Sequence, residues 1–283
     1  MLSFDRIADG VPGAEGPTYD AEGRWFVASS AGRVLEMLPG GGTRTHAETP
    51  GSPSGLHADA RGRLWLIDGK LGVMRVQPDG WVERLITHVD GEPLVGANDG
   101  VLDRDLNFYF TVPAGSTVAS PHGRVLCRRV GGEVTVVGDG FAFCNGIAVS
   151  GDGTRLMVAE TWTRLLIEFD LLGPGIAVNR RVFAELPGRS EVGADGITFD
   201  SAGRLISTNY GEGELDVFDP AGVLLERIEL PFGEVTNVHL GGVDGKDLMV
   251  TEHQTPGVWR SRWHTAGLAL PGPAESATRS PTH

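Results

Sequence analysis

Residues 145–160 read Asn-Gly-Ile-Ala-Val-Ser-Gly-Asp-Gly-Thr-Arg-Leu-Met-Val-Ala-Glu. Two apolar runs flank a turn built from Gly, Asp and Ser, which is the signature of a β-hairpin. A polar residue, Asn145, opens the stretch five positions ahead of the turn. The same layout recurs as GPTYDAEGRWFVAS from Gly16, GLHADARGRLWLID from Gly55, DGVLDRDLNFYFTV from Asp99, DGITFDSAGRLISTN from Asp195 and TNVHLGGVDGKDLMVTE from Thr236. Aligned on the turn-opening residues Asp20, Asp59, Asp103, Ser150, Asp200 and Gly241, the position five earlier holds Glu15, Ser54, Asn98, Asn145, Asp195 and Thr236.

The repeats are spaced roughly 40–50 residues apart, the period of propeller blades. Each unit continues past its hairpin, as in Glu214–Phe218, the turn Asp219-Pro-Ala-Gly222, then Val223–Leu230. A unit therefore holds four strands. The sixth lacks a convincing fourth strand, and the run Leu2–Ala8 is a spare one. The expectation is an all-β, six-bladed β-propeller with four-stranded blades, closed when the N-terminal strand completes the last blade and removes a free edge. It forms one domain over residues 1–270. Residues 271–283, rich in Pro, Ser, Thr and Ala, are expected to be a disordered tail.

Composition narrows the function. A formal net charge of −13 opposes binding to nucleic acid and to anionic membranes. No apolar run approaches the roughly 18–20 residues of a spanning helix. Two cysteines, Cys127 and Cys144, do not make a disulfide framework, and no secretory signal opens the chain, so a cytoplasmic setting is expected. A monomer or weak homo-oligomer acting on a small molecule fits these limits.

A ring of repeats brings equivalent positions to one axis. The six there are two carboxylates, two carboxamides and two hydroxyls, with no Lys or Arg among them. Buried carboxylates resist desolvation unless paired or bound to a cation. Hard oxygen donors suit Ca²⁺ best, with Mg²⁺, Mn²⁺, Zn²⁺ or Fe²⁺ as alternatives. Residue types alone also allow a hydrated polar channel, because Asn-Gly and Asp-Gly are ordinary turn dipeptides. Glu15, followed by Gly16-Pro17, has no such turn rationale.

Glu15-Gly16-Pro17, Asn98-Asp99-Gly100, Asn145-Gly146-Ile147-Ala148, Asp195-Gly196-Ile197 and the run from Leu230 to Thr251 resemble the family of gluconolactonase, regucalcin (senescence marker protein) and luciferin-regenerating enzyme. The likeness spans about residues 10–265. It implies a six-bladed propeller with one catalytic divalent metal held by Glu15, Asn145 and Asp195. It further implies Asn98 as a substrate or water-mediated metal contact and Asp195 as general base. Glu15 is the alternative base.

Two positions depart from that pattern. Sugar lactonases of the family carry Arg two residues before the third-repeat Asn, where this chain has Gly96, and Cys144 stands where Pro is common. Arg grips hydroxyls and carboxylates with a planar fork that Gly cannot supply. The expected reaction is metal-dependent lactone hydrolysis on a substrate other than a typical aldonolactone. A phosphotriesterase-like hydrolase, an isomerase or lyase using the same metal, and a non-catalytic binding propeller are the alternatives. Asn98, Asp99, Ser54 and His122, the last in the long loop Val112–Gly123, are candidate substrate contacts. Phe141 and Phe143 either line the mouth or pack within their blades, Trp162 and Tyr210 are candidate walls for which core packing is the commoner fate, and His57 is not expected to be a metal ligand.

Overall fold

The structure, a computed structural model, describes residues 2–272. Six four-stranded antiparallel sheets follow one another along the chain. Their innermost strands are Ala14–Tyr19, Pro53–Ala58, Gly100–Leu102, Cys144–Val149, Ala194–Phe199 and Val235–Gly241, which open blades 1 to 6 in that order. Blade 6 takes its outermost strand from Asp5–Asp9, which pairs with Gly257–Arg262 as the sequence predicted. The one helical segment among the described residues is a 3₁₀ turn, Thr161–Thr163, and no helix there is long and apolar enough to cross a membrane.

Burial follows position within the blade. Second strands such as Leu64–Asp68 are buried along their whole length. Outermost strands such as Thr43–Glu48 are largely exposed. A second strand is covered on both faces by neighbouring blades, so it reads as a continuous apolar run instead of an alternating one. Accordingly, the six apolar clusters among the described residues each bridge two consecutive blades. Tyr109 and Phe141 of blade 3 meet Ile147 and Val158 of blade 4, and Trp25 and Val27 of blade 1 meet Met249 and Val258 of blade 6. Phe141 is therefore core, with the Arg180 guanidinium 4.0 Å from its ring centroid.

The turn after the inner strand has one repeated construction in blades 1, 2 and 5. Asp20 accepts the backbone N–H groups of Glu22 and Arg24 on one oxygen and the Arg24 Nε on the other, at 2.7 Å. Asp59 with Arg63 and Asp200 with Arg204 repeat it at the same distance. Asp59 and Asp200 are buried and also accept the indole N–H of Trp65 and Trp263. These turns are hairpin connections, as expected.

The C-terminal end differs from expectation. Residues 265–272 run as a strap across the turn side of the ring, tied to blade 5 by Ser201 N–H to Ala266 O. Gly245 of blade 6 accepts from Gly267, and Tyr19 of blade 1 donates to Leu268 O. Ala60 of blade 2 donates to Pro271 O, and the Gly272 N–H reaches Arg104 O of blade 3. Pro271 and Gly272 thus belong to the strap, and the remainder of the tail, 273–283, lies outside the described residues.

Candidate functional site

The inner strands of blades 1, 2, 4, 5 and 6 open irregularly. Register shifts fall between Glu15 and Thr18, Pro53 and Leu56, Cys144 and Ile147, Ala194 and Ile197, and Val235 and Val238. A β-bulge re-aims a side chain and bends its strand. The X-Gly pairs at these positions are therefore bulges in strands, not hairpin turns. Their glycines allow close approach at the axis. A Cβ on Gly146 would stand 2.2 Å from Asp195 O, and one on Gly16 would stand 2.7 Å from Ser54 O. One on Gly55 would meet Asn98 O at 2.9 Å, and one on Gly196 the Asn237 Cα at 2.6 Å. Each glycine admits the backbone of the next blade.

Blades 3 and 6, opposite one another in the ring, carry Asp99 and Asn237 where the other four have glycine. These two side chains meet across the axis, with Asn237 Nδ2 donating to Asp99 Oδ2 at 3.3 Å. Asn237 also lies beside Glu15, and Asn145 beside Asp195, close enough for each carboxamide to offset part of the rise in its neighbour's proton affinity. Glu15, Asp99, Asn145, Asp195 and Asn237 therefore converge on one spot. Burial holds the carboxyls of Glu15 and Asp195 well above the usual range, and neighbouring Asp195 and Asp99 raise Glu15 further, as Asp99 raises Asp195. Burial pushes Asp99 up to about 6. Among the described residues no Lys or Arg pairs with any of the three. No three His, Cys, Asp or Glu side chains there stand close enough to hold an ion by themselves. A cation at this spot would have to take carboxamide oxygen as well as carboxylate, and Asn145 offers it.

Other candidates fall elsewhere. The Ser54 hydroxyl donates to Asn98 O at 2.6 Å, and the Thr236 hydroxyl to Ala14 O at 2.9 Å. Both act as struts between blades, so the ring of donors is smaller than six. The half-buried Asn98 side chain makes no protein hydrogen bond among the described residues. His122 is exposed, with Nδ1 2.8 Å from Ser120 O, and lines a separate cavity with Val89, Pro93, Ala114 and Arg124. The structure does not bring it to the axis, because its loop folds back on itself. Cys144 is buried, its thiol donates to Arg124 O, and burial pushes it up to about 12, which removes it as a nucleophile. Gly96 has φ +71°, and a Cβ there would lie 2.8 Å from Ala114 Cα. The loop after blade 3's second strand thus occupies the place an arginine would need.

Aromatic groups stand at the mouth. Phe143 and Trp162 pack edge to face at 5.7 Å, and Trp162 remains partly exposed. Tyr210 packs against His253 at 6.4 Å and lies near enough to Asp195 and Glu15 for their charge, after burial and Glu234, to help push its phenol up to about 12. Below the Asp99–Asn237 bar lies a cavity of about 300 Å³, floored by the strap at Leu268–Gly272. His57 and His239 pack edge to face in its lining, ring centroids 5.7 Å apart, and burial lowers them to about 4 and about 3, so both are neutral. His57 lies off the donor ring, as expected.

Sequence reasoning named Asp99 as a candidate substrate contact and passed over Asn237 as a site residue. The signal was available: four of the six repeats have Gly after the axial residue, and these two do not.

Comparison with known proteins agrees with this architecture. Diisopropyl-fluorophosphatase of Loligo vulgaris is 32% identical over 293 residues, covering 93% of each chain. Lactonase drp35 of Staphylococcus saprophyticus subsp. saprophyticus is 26% identical over 259 residues, covering 83% of this chain and 76% of its own. The solved structure of a gluconolactonase from Xanthomonas campestris superposes with a TM-score of 0.81 at 25% identity, covering 92% of this chain and 89% of that one. Residues 13–254 match the family described as SMP-30/Gluconolactonase/LRE-like region, and the chain belongs to it.

Proposed function

We propose that this protein is a divalent-metal-dependent hydrolase of an uncharged ester, either a lactone other than a typical aldonolactone or a phosphorus ester. The observation that carries the proposal is that two buried carboxyl groups, Asp99 and Asp195, and the half-buried Glu15 lie near enough to raise one another's proton affinity, with no basic side chain paired to them among the described residues. Such a cluster strongly disfavours ionisation unless a cation enters. Glu15, Asn145 and Asp195 would hold the ion, with Asn98 within the same strand-opening row. All these donors are oxygen, which fits Ca²⁺ first. When bound, the ion would polarise a carbonyl or phosphoryl oxygen and favour ionisation of a water.

The protein's own groups would do the rest. Asp195 takes the proton of the attacking water on a carboxylate oxygen, with Glu15 as the alternative acceptor. Asn98 offers a carboxamide to the substrate. Phe143, Trp162 and Tyr210 give the mouth aromatic walls that suit an apolar substituent. Gly96 and the Ala114 backbone leave no guanidinium to grip sugar hydroxyls. The phosphorus-ester reading gains from the relative named diisopropyl-fluorophosphatase, which aligns along nearly the whole chain. The lactone reading is supported by the relatives named lactonases.

The deciding experiment is metal analysis of the purified protein, joined to a chelation and readdition assay on lactones and on dialkyl phosphorofluoridates. Turnover lost on chelation and restored by Ca²⁺ is expected. Undiminished turnover in excess chelator would sink the metal-dependent reading.

A further inference from the structure

The 3₁₀ turn after the second strand of blade 4 has a task that its sequence does not announce. Thr161 opens it, and both bonds of the Thr161 hydroxyl reach the donor ring. Its proton goes to Ala194 O at 2.7 Å, immediately before Asp195. Its oxygen accepts from Asn145 Nδ2 at 3.1 Å. Because the single hydroxyl proton is committed to Ala194, the hydroxyl can only accept from Asn145. The amide nitrogen of Asn145 must then face Thr161, which turns the carboxamide oxygen away from it.

Backbone bonds reinforce the link. Gly193 N–H donates to Thr161 O at 3.1 Å, and Thr161 N–H donates to Phe143 O at 3.0 Å. Three residues on, Arg164 sits in the left-handed region at φ +60°. Its guanidinium donates to the carbonyls of Leu186, Pro187, Ser190 and Val192, with Ser190 at 2.7 Å. It thereby secures the connection that delivers Asp195. The turn thus couples two donors from adjacent blades, Asn145 and Asp195, through one side chain.

We propose that Thr161 is a positioning residue that sets the Asn145 amide so that its oxygen, not its nitrogen, is offered to a cation; this rests on the metal reading above. Only the oxygen of a carboxamide can ligate Ca²⁺. Outer partners that orient a ligand typically account for about 10–100-fold in metal affinity. A carboxylate has no wrong face, so Asn145→Asp should make the orientation unnecessary.

The test is calorimetric titration of chelator-stripped protein with Ca²⁺, with circular dichroism to verify folding. Thr161→Val is expected to weaken binding about 10–100-fold, while Thr161→Ser, which retains the hydroxyl, stays close to wild type. In the Asn145→Asp background the Thr161→Val loss is expected to disappear. Thr161→Ala removes both bonds without added bulk and serves if the valine variant misfolds. Wild-type affinity in both Thr161→Val and Thr161→Ala, or an equal loss with Asp at position 145, overturns the inference while leaving the metal reading intact. Wild-type protein that takes up no divalent cation removes both.

Discussion

At the scale of the residue, the site depends on what is missing as much as on what is present. Four glycines stand where any Cβ would strike the next blade, and Gly146 is the tightest against a donor. Gly146→Ala should cost about 1–3 kcal/mol by overpacking. It should also displace Asp195, seen as weakened Ca²⁺ binding beyond the loss of stability. Asp99 makes a second prediction. Its folded pKa of about 6 lies above the ordinary aspartate value of 3.8, so in metal-free protein its contribution to stability is fully present below about pH 3.8 and lost as pH rises through about 6. The gain in melting temperature on adding Ca²⁺ should therefore be larger at pH 8 than at pH 5. An equal gain at both would contradict the buried-carboxylate account. The sequence displayed Glu15, Asn145 and Asp195 because their phase in the repeat is visible. It concealed the spending of Ser54 and Thr236 on inter-blade bonds, since a hydroxyl's partner is set by distance across blades.

At the scale of the element, the hairpin turns carry stability separate from the site. Asp200 is fully buried, satisfied by two backbone N–H groups, the Arg204 guanidinium and the Trp263 indole. Asp200→Ala should destabilise by about 3 kcal/mol, read by urea denaturation, with Ca²⁺ affinity of the folded fraction unchanged. Each Asp-x-x-Gly turn was legible because the acceptor, the glycine and the basic residue fall within five positions. The 3₁₀ turn at Thr161 was not, because its partners Asn145 and Ala194 lie on two strands that only the closed ring makes adjacent. The Val112–Gly123 loop was legible as a long loop but not in its direction. Ala114 packs on Gly96, and His122 points to a cavity away from the axis.

At the scale of the whole molecule, blade count and closure followed from the repeat and from one spare strand at the start of the chain. Removing residues 2–9 should leave Gly257–Arg262 as an open edge. That truncation is expected to aggregate or dimerise in size-exclusion chromatography, because an unpaired edge recruits another strand. The strap escaped the sequence reading because its few residues pair with no repeat and show no periodicity. Its course has a practical bearing. An inner strand advances about 3.3 Å per residue, so the strap crosses the face opposite the aromatic mouth, and the described chain leaves the ring beside Arg104. A tether fused beyond Gly272 would therefore anchor the molecule by its underside, with the mouth turned toward the bulk solution. Immobilised in that orientation, the protein should keep its accessibility to dissolved compounds, whereas attachment through the Trp162 side would cover the entrance.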